Sequence, residues 1–247
     1  MKILVCLKKT LDYNVNPQIA PDQQSIVETG VKMSTNPFCE IALEAAIQLH
    51  ENNPTIETHA LCIGPESHQD ILKRALAMGA HHAHLLKCEH PLSTLEKAQL
   101  LKTYIENHPY DLVLMGKQSI DQDHNHIPQM LGALLNWDTG LFCSKIMLNN
   151  DHLTVEREID EGLCQRNIKL PCILSSDLRL NQPRFISLPK IIQAKNKPVA
   201  IIQADSLLKG TGPKLTRTKL ELPPARKKGT TTNDLSEFLS QLKEVLK

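Results

Sequence analysis

Strand-like apolar runs at Lys2 to Leu7, Thr58 to Ile63, Ala83 to Lys87 and Asp111 to Met115 alternate with segments whose apolar residues recur at helical spacing. Strands separated by helices pair in parallel through crossover connections, and helices on both faces of such a sheet keep it buried. The expected fold class is therefore α/β, with a doubly wound, mostly parallel sheet. The first helix follows Asn36, with Pro37 at its first position, Glu40 in its first turn, and Ile41, Ala42, Ala45, Ala46 and Leu49 on one face. A second carries Ile71, Leu72, Ala75 and Leu76 and stops at Gly79; a third begins after Ser93 or Thr94 and carries Leu95, Ala98, Leu101 and Ile105.

Beyond Trp137 the pattern changes to Leu141 to Leu148 and Leu153 to Ile159, joined by the turn-prone Asn149-Asn150-Asp151, which predicts an antiparallel extension of the sheet. From Asp205 to Asn233 the chain is rich in Lys, Thr, Gly and Pro and has no sustained periodicity. Asp234 to Lys247 then places Leu235, Phe238, Leu239, Leu242, Val245 and Leu246 on one helix face. The expected division is an α/β domain over 1–204 and, over 205–247, an extended arm ending in a partner-docking helix.

The 28 basic and 27 acidic residues of the 247-residue chain leave a net charge of +1, which argues against holding nucleic acid or a membrane surface by bulk electrostatics. No run approaches the ~20 apolar residues of a membrane span, and the chain enters a strand at Ile3 without a signal or transit segment. A cytoplasmic address is expected. The seven cysteines are scattered without a CxxC pair and read as reduced, buried thiols, so neither disulfides nor a zinc site is expected. There is no GxSxG, HExxH, Walker loop or GxGxxG, which disfavours catalysis by side chains.

One segment points to a ligand. Gly116-Lys117-Gln118-Ser119-Ile120-Asp121-Gln122-Asp123-His124-Asn125-His126 runs from a buried-looking strand towards an apolar helix. In open α/β sheets nucleotides settle at such strand ends, where helix N–H groups meet phosphate and acidic or amide side chains meet ribose and base. Asp121, Asp123 and Asn125 taken singly are better explained as helix capping; at this strand end, with Lys117-Gln118 before them, the nucleotide reading is the preferred one. Asn36-Pro37-Phe38-Cys39 is likewise explained by a cap plus an aromatic core contact. His81, His82 and His84, or His124 and His126, lack the i, i+4 spacing of a helical metal site and read as solvated or capping residues. Glu156-Arg157-Glu158 reads as a solvated strand face.

Six segments in register carry a resemblance: Lys8 to Tyr13, Asn36 to Ala42, Ala75 to Ala80, Gly116 to Asp121, Val155 to Asp160 and Asp177 to Arg184. Together they resemble the β subunit of electron transfer flavoprotein. The resemblance implies a Rossmann-like sheet of the adenine nucleotide α-hydrolase-like kind. It also implies a heterodimer whose α subunit holds most of the FAD while this chain binds AMP as a structural ligand, without catalytic side chains of its own. FAD in this family takes electrons from acyl-CoA dehydrogenases and related flavoenzymes and passes them to a membrane quinone oxidoreductase; no direct membrane insertion is implied. The AMP positions carried over are Cys6, Asn36, Pro37, Phe38, Cys39, Ile63 and Gly116 through His126 with Ile127. Phosphate would be met by Asn125, His126 and the N–H groups of a helix starting after Asp123. Tyr13 and Phe38 correspond to aromatics near the flavin. Leu188, followed by Pro189, corresponds to the leucine of a recognition loop that enters a pocket of the dehydrogenase, an apolar anchor in a charged rim. Glu158 corresponds to an acid that pairs with the α subunit. The bacterial, cytoplasmic address expected of the chain rests on the lack of a transit segment and not on the resemblance.

The chain departs from the family at Asn125-His126-Ile127-Pro128-Gln129, which lacks a hydroxyl that His126 would replace, and at Asp160-Glu161-Gly162. Two alternatives remain open: a bifurcating family member with a second FAD in the AMP site, disfavoured by the bulk of Gln122 to Asn125, and an unrelated ATP-binding stress-type module, since the fold alone would host either.

Overall fold

The apolar runs become parallel strands in the computed structural model, which describes residues 1–149, 152–208, 215, 217–226, 228–229 and 231–246. β1 (Lys2–Leu7) leads into a short hairpin of β2 (Lys9–Leu11) and β3 (Met33–Thr35). The crossover part follows as α1 (Pro37–Asn52), β4 (Glu57–Gly64), α2 (Gln69–Met78), β5 (His82–Lys87), α3 (Thr94–Asn107), β6 (Leu112–Gly116) and α4 (Ile127–Leu135). Then come β7 (Asp138–Cys143), β8 (Lys145–Leu148), β9 (His152–Ile159), β10 (Gly162–Lys169), β11 (Cys172–Ser176), α5 (Leu188–Asn196), β12 (Ala200–Gln203) and α6 (Leu235–Val245). The central sheet has seven strands in the order β12-β5-β4-β1-β6-β11-β7, and each neighbouring pair is parallel.

Successive residues of a strand face opposite sides, so Ile3 and Val5 pack in one core with Ala42, Ala46, Leu72 and Leu76 of α1 and α2. Leu4 turns the other way, joining Leu61, Leu86, Leu101, Ile105 and Leu131 under α3 and α4. The helix ends follow local chemistry. Ser93 and Glu96 form a reciprocal capping box on α3, and α2 stops at Gly79, whose φ of +138° a side chain would resist.

The sequence-predicted run from Leu141 to Leu148 is divided between two sheets. Its first part, in β7, pairs in parallel with β11; its second, β8, pairs antiparallel with β9. Phe142 has φ +61°, the β7–β11 register shifts there, and Ser144 N–H donates to Glu156 O at 2.8 Å, which turns the chain out of one ladder into the other. β10, β9 and β8 thus form a separate three-stranded sheet rather than an extension of the central one. Of the turn Asn149-Asn150-Asp151, the last two residues lie outside the described residues. Periodicity singles out neither β11, β12 nor α5.

Met1–Gln18 with Val27–Thr216 form one compact unit, and Ile19–Ile26 with Arg217–Lys247 form a second. Within the second, Leu220 N–H donates to Gln23 O at 2.7 Å. There α6 starts at a capping Asp234 and leaves Leu235, Phe238, Leu239, Leu242 and Val245 exposed. No helix among the described residues is long and apolar enough to cross a membrane.

Candidate functional site

From β1 the chain builds the sheet outward through β4 and β5, then returns to the other side of β1 with β6. Loops leaving the carboxyl ends of β1 and β6 therefore run in opposite directions and leave a crevice, the usual ligand position in an open α/β sheet. The β1 exit contributes Lys8; the β6 exit contributes the loop from Gly116 to His126.

That loop is braced from three sides. Asn36 stands at the N-cap of α1, yet its side chain does not cap the helix. Fully buried, it donates from Nδ2 to Gln118 O at 2.8 Å and Cys39 Sγ at 3.2 Å, and accepts Ile120 N–H at Oδ1 at 3.2 Å. Gly116 lies so close to α1 that a Cβ there would sit 2.7 Å from Phe38 Cβ and 2.9 Å from Cys39 N. Lys8 Nζ donates to Ser119 Oγ at 3.0 Å and to both Asp121 oxygens at 2.7 and 2.6 Å. Partial burial pushes the Asp121 carboxyl up, but the Lys8 ammonium and the Ser119 hydroxyl outweigh it, so Asp121 titrates below its ordinary range.

Further along, Gln118 Nε2 donates to Asp123 Oδ1 at 2.9 Å and Asn125 Oδ1 accepts from Gln129 Nε2 at 3.1 Å. The rings of His124 and His126 stack 5.1 Å apart. Asp123 has φ +51°, a left-handed conformation that cannot begin a helix, so α4 starts at Ile127 with His126 as its cap, not directly after Asp123. Pro128 removes one of the free first-turn donors.

Cys6, Cys39 and Cys62 cluster where β1, β4 and α1 meet. Burial, reinforced by the neighbouring thiols, raises Cys6 far above its ordinary value and pushes Cys62 up to about 12; burial also raises Cys39. These are neutral walls, not nucleophiles. Every described cysteine is a free thiol. Ile63, also expected in the site, lies one residue before the end of β4.

Two lysines were not singled out from sequence as site residues. Lys8 is one. The other, Lys97 in the first turn of α3, is half-buried; burial first, then repulsion from Lys8, depresses its ammonium. Its Nζ makes neither hydrogen bond nor ion pair among the described residues. On a helix face a lysine reads as solvated, and only its approach to Lys8 and Asp121 in the folded chain betrays it. The crevice thus carries the Lys8 ammonium, paired with Asp121, and Asp123, which accepts from Gln118, while Lys97 has no protein partner among the described residues and suits an anion such as phosphate.

Lys117 leaves the crevice in another direction. Its Nζ meets Asp177 Oδ2 at 3.1 Å and lies 5.2 Å from the centre of the Phe142 ring. Asp177 Oδ1 accepts from Arg179 Nε at 3.0 Å, and Arg179 Nη1 in turn pairs with Glu158. Glu158, expected to await a partner chain, is therefore already tied through Arg179 and Asp177 to the first residues of the loop.

Phe38 is buried, and its carbonyl accepts from Ser176 Oγ at 2.9 Å, whereas Tyr13, past β2, is 73% exposed. Leu188 and Pro189 occupy the first turn of α5 rather than a loop. Leu188 is 68% exposed and Phe185 94%. The segment before them is pinned to α1 by Arg184, which donates from Nε and Nη2 to the buried Glu44 (both 2.9 Å) and from Nη1 to Glu51 (2.6 Å).

A model of the electron transfer flavoprotein domain matches residues 24–207. The chain is 40% identical over 247 residues to the mitochondrial electron transfer flavoprotein subunit beta of Oryza sativa subsp. japonica, covering 98% of each chain. It is 40% identical over 249 residues to the electron transfer flavoprotein subunit beta of Homo sapiens, covering 99% of this chain and 98% of the human one. Against the mitochondrial subunit beta of Arabidopsis thaliana it is 39% identical over 245 residues, covering 98% of each. These relatives are eukaryotic and lend no support to a bacterial source.

Proposed function

The chain belongs to the electron transfer flavoprotein β-subunit family, and from that premise we propose that it pairs with an α subunit holding most of the FAD and binds AMP in the crevice between β1 and β6. FAD supplies the redox chemistry of the pair; this chain supplies position. The observation that carries the reading is the brace of Asn36, Lys8 and Gly116 around a loop beside Lys97, an ammonium group with no protein partner among the described residues. Lys8, Lys97 and the amino end of α4 suit a 5′-phosphate. The amide and acid groups of Gln118 to Asn125 suit ribose and base. The carried-over AMP contacts at Cys6, Asn36 to Cys39, Ile63 and Gly116 to Ile127 divide on this view into walls, braces and direct contacts.

Electrons enter from flavoprotein dehydrogenases such as acyl-CoA dehydrogenases and leave to a membrane quinone oxidoreductase. Leu188, with Phe185 beside it, serves as the apolar anchor for the dehydrogenase. Tyr13 faces the flavin side, and the exposed face of α6 in the 205–247 arm docks on the α subunit. Glu158 exchanges its partner Arg179 for an α-subunit cation when the flavin domain moves. The test is mass spectrometry of ligands released from the purified heterodimer. One AMP and one FAD per pair are expected; two flavins, or no adenine nucleotide, would overturn the reading.

A further inference from the structure

At the amino-terminal edge of the sheet, remote from the crevice, β4 and β5 pair so that His59 stands opposite His82 and Leu61 opposite His84. The His59 and His82 ring centres are 4.6 Å apart. Glu57, two residues before His59, emerges on the same side, with Oε2 3.5 Å from His59 Nε2. Sequence spacing alone hides this trio, because two of its members lie on one strand and the third on its neighbour.

The two nitrogens of His59 have different fates. Nδ1 is held by His84 Nε2 at 3.1 Å and Tyr110 Oη at 3.3 Å. Nε2 is buried and has no partner at full hydrogen-bond geometry; the nearest carboxylate oxygen, Glu57 Oε2, stands 3.5 Å away. A buried polar atom left unsatisfied is costly and calls for a reason.

We propose that Glu57, His59 and His82 form a surface site for a divalent first-row transition metal with a preference for nitrogen and oxygen donors, of which Zn²⁺ is the probe. One ligand atom from each residue already lies within 4.8 Å of the others. Bonds of ~2.0–2.1 Å in a tetrahedral site bring such atoms to ~3.4 Å, a closure that rotation of the exposed Glu57 and His82 side chains provides. His84 and Tyr110 then serve as the outer partners that fix the orientation of the liganding ring. Lys2, the register partner of Glu57, offsets part of the carboxylate charge without occupying a ligand position. Three protein ligands leave a further position to water, and the ion clips β4 to β5.

The α/β complex, stripped with chelator and re-equilibrated with Zn²⁺ by dialysis, tests this. Wild-type protein should hold one more Zn²⁺ per β chain than the His82→Asn or Glu57→Gln variants, and Co²⁺ should give a visible ligand-field band in wild type that both variants lack. His84→Gln should weaken binding by ~10-fold through the outer partner alone. Both ligand substitutions are at exposed side chains, and circular dichroism and flavin content establish that the variants are folded. Equal Zn²⁺ stoichiometry and affinity in wild type and the two folded variants would overturn the site.

Discussion

Replacing Asn36 separates two roles that a residue at a helix start can have. If Asn36 served as a cap, Asp would substitute freely, since the two are equivalent at that position. In the structure its amide instead spans α1 and the β6 loop: Nδ2 donates to Gln118 O and Oδ1 accepts Ile120 N–H, both in a fully buried setting. Asn36→Ala leaves these two backbone groups unsatisfied at roughly 1–3 kcal/mol each, part of which water entering the vacated space returns, so a net loss of about 2–3 kcal/mol is expected. For a chain of this size that is a fall in melting temperature of roughly 4–12 °C. Asn36→Asp keeps the acceptor for Ile120 but sets a carboxylate oxygen against Gln118 O, and should cost at least as much as Ala. Thermal unfolding of the α/β complex by circular dichroism, with AMP content measured beside it, reads both. AMP should be retained 5- to 30-fold less tightly if 1–2 kcal/mol of loop order is lost. An Asp variant with wild-type stability and AMP content would refute the bracing argument and restore the cap.

Lys97→Met should act with opposite signs on the two states of the crevice. Ligand-free protein gains stability, because the folded ammonium is depressed by burial and by Lys8; that penalty is full below the folded pKa and fades as pH rises to the unfolded 10.5. AMP affinity falls by ~10- to 100-fold if Lys97 meets the phosphate; calorimetric titration and melting curves at neutral and alkaline pH read the two effects, and unchanged AMP affinity removes Lys97 from the site. Leu188→Ala should raise the apparent KM for electron uptake from an acyl-CoA dehydrogenase by ~30-fold, as loss of a hot-spot side chain does, with FAD and AMP content unaltered. Unchanged transfer kinetics would take the exposed leucine out of the docking role.

Much of the architecture was legible because it depends on near neighbours in sequence. The four apolar runs, the helix start after Ser93 or Thr94 and the stop at Gly79 are local statements of burial and backbone geometry, and they became strands and helix ends as read. The division of Leu141 to Leu148 was not legible, because Ser144 leaves β7 for a bond to Glu156, a partner 12 residues further on. α5 escaped notice because Leu188, Ile191 and Ile192 remain substantially exposed, so its apolar residues do not mark a buried face in the usual way.

Taken alone, the order of residues determined the α/β class, the helix start at Pro37 and the polar loop after β6, since each follows from periodicity or capping within a few residues. Only the tertiary structure decided what those pieces meet. Asn36 turned from cap to brace, Lys8 found Asp121 across 113 positions, and His59 came to stand beside His82. The reason is physical: side-chain partners across a parallel sheet are chosen by strand order and register, which depend on how the whole core packs and not on any local run of sequence.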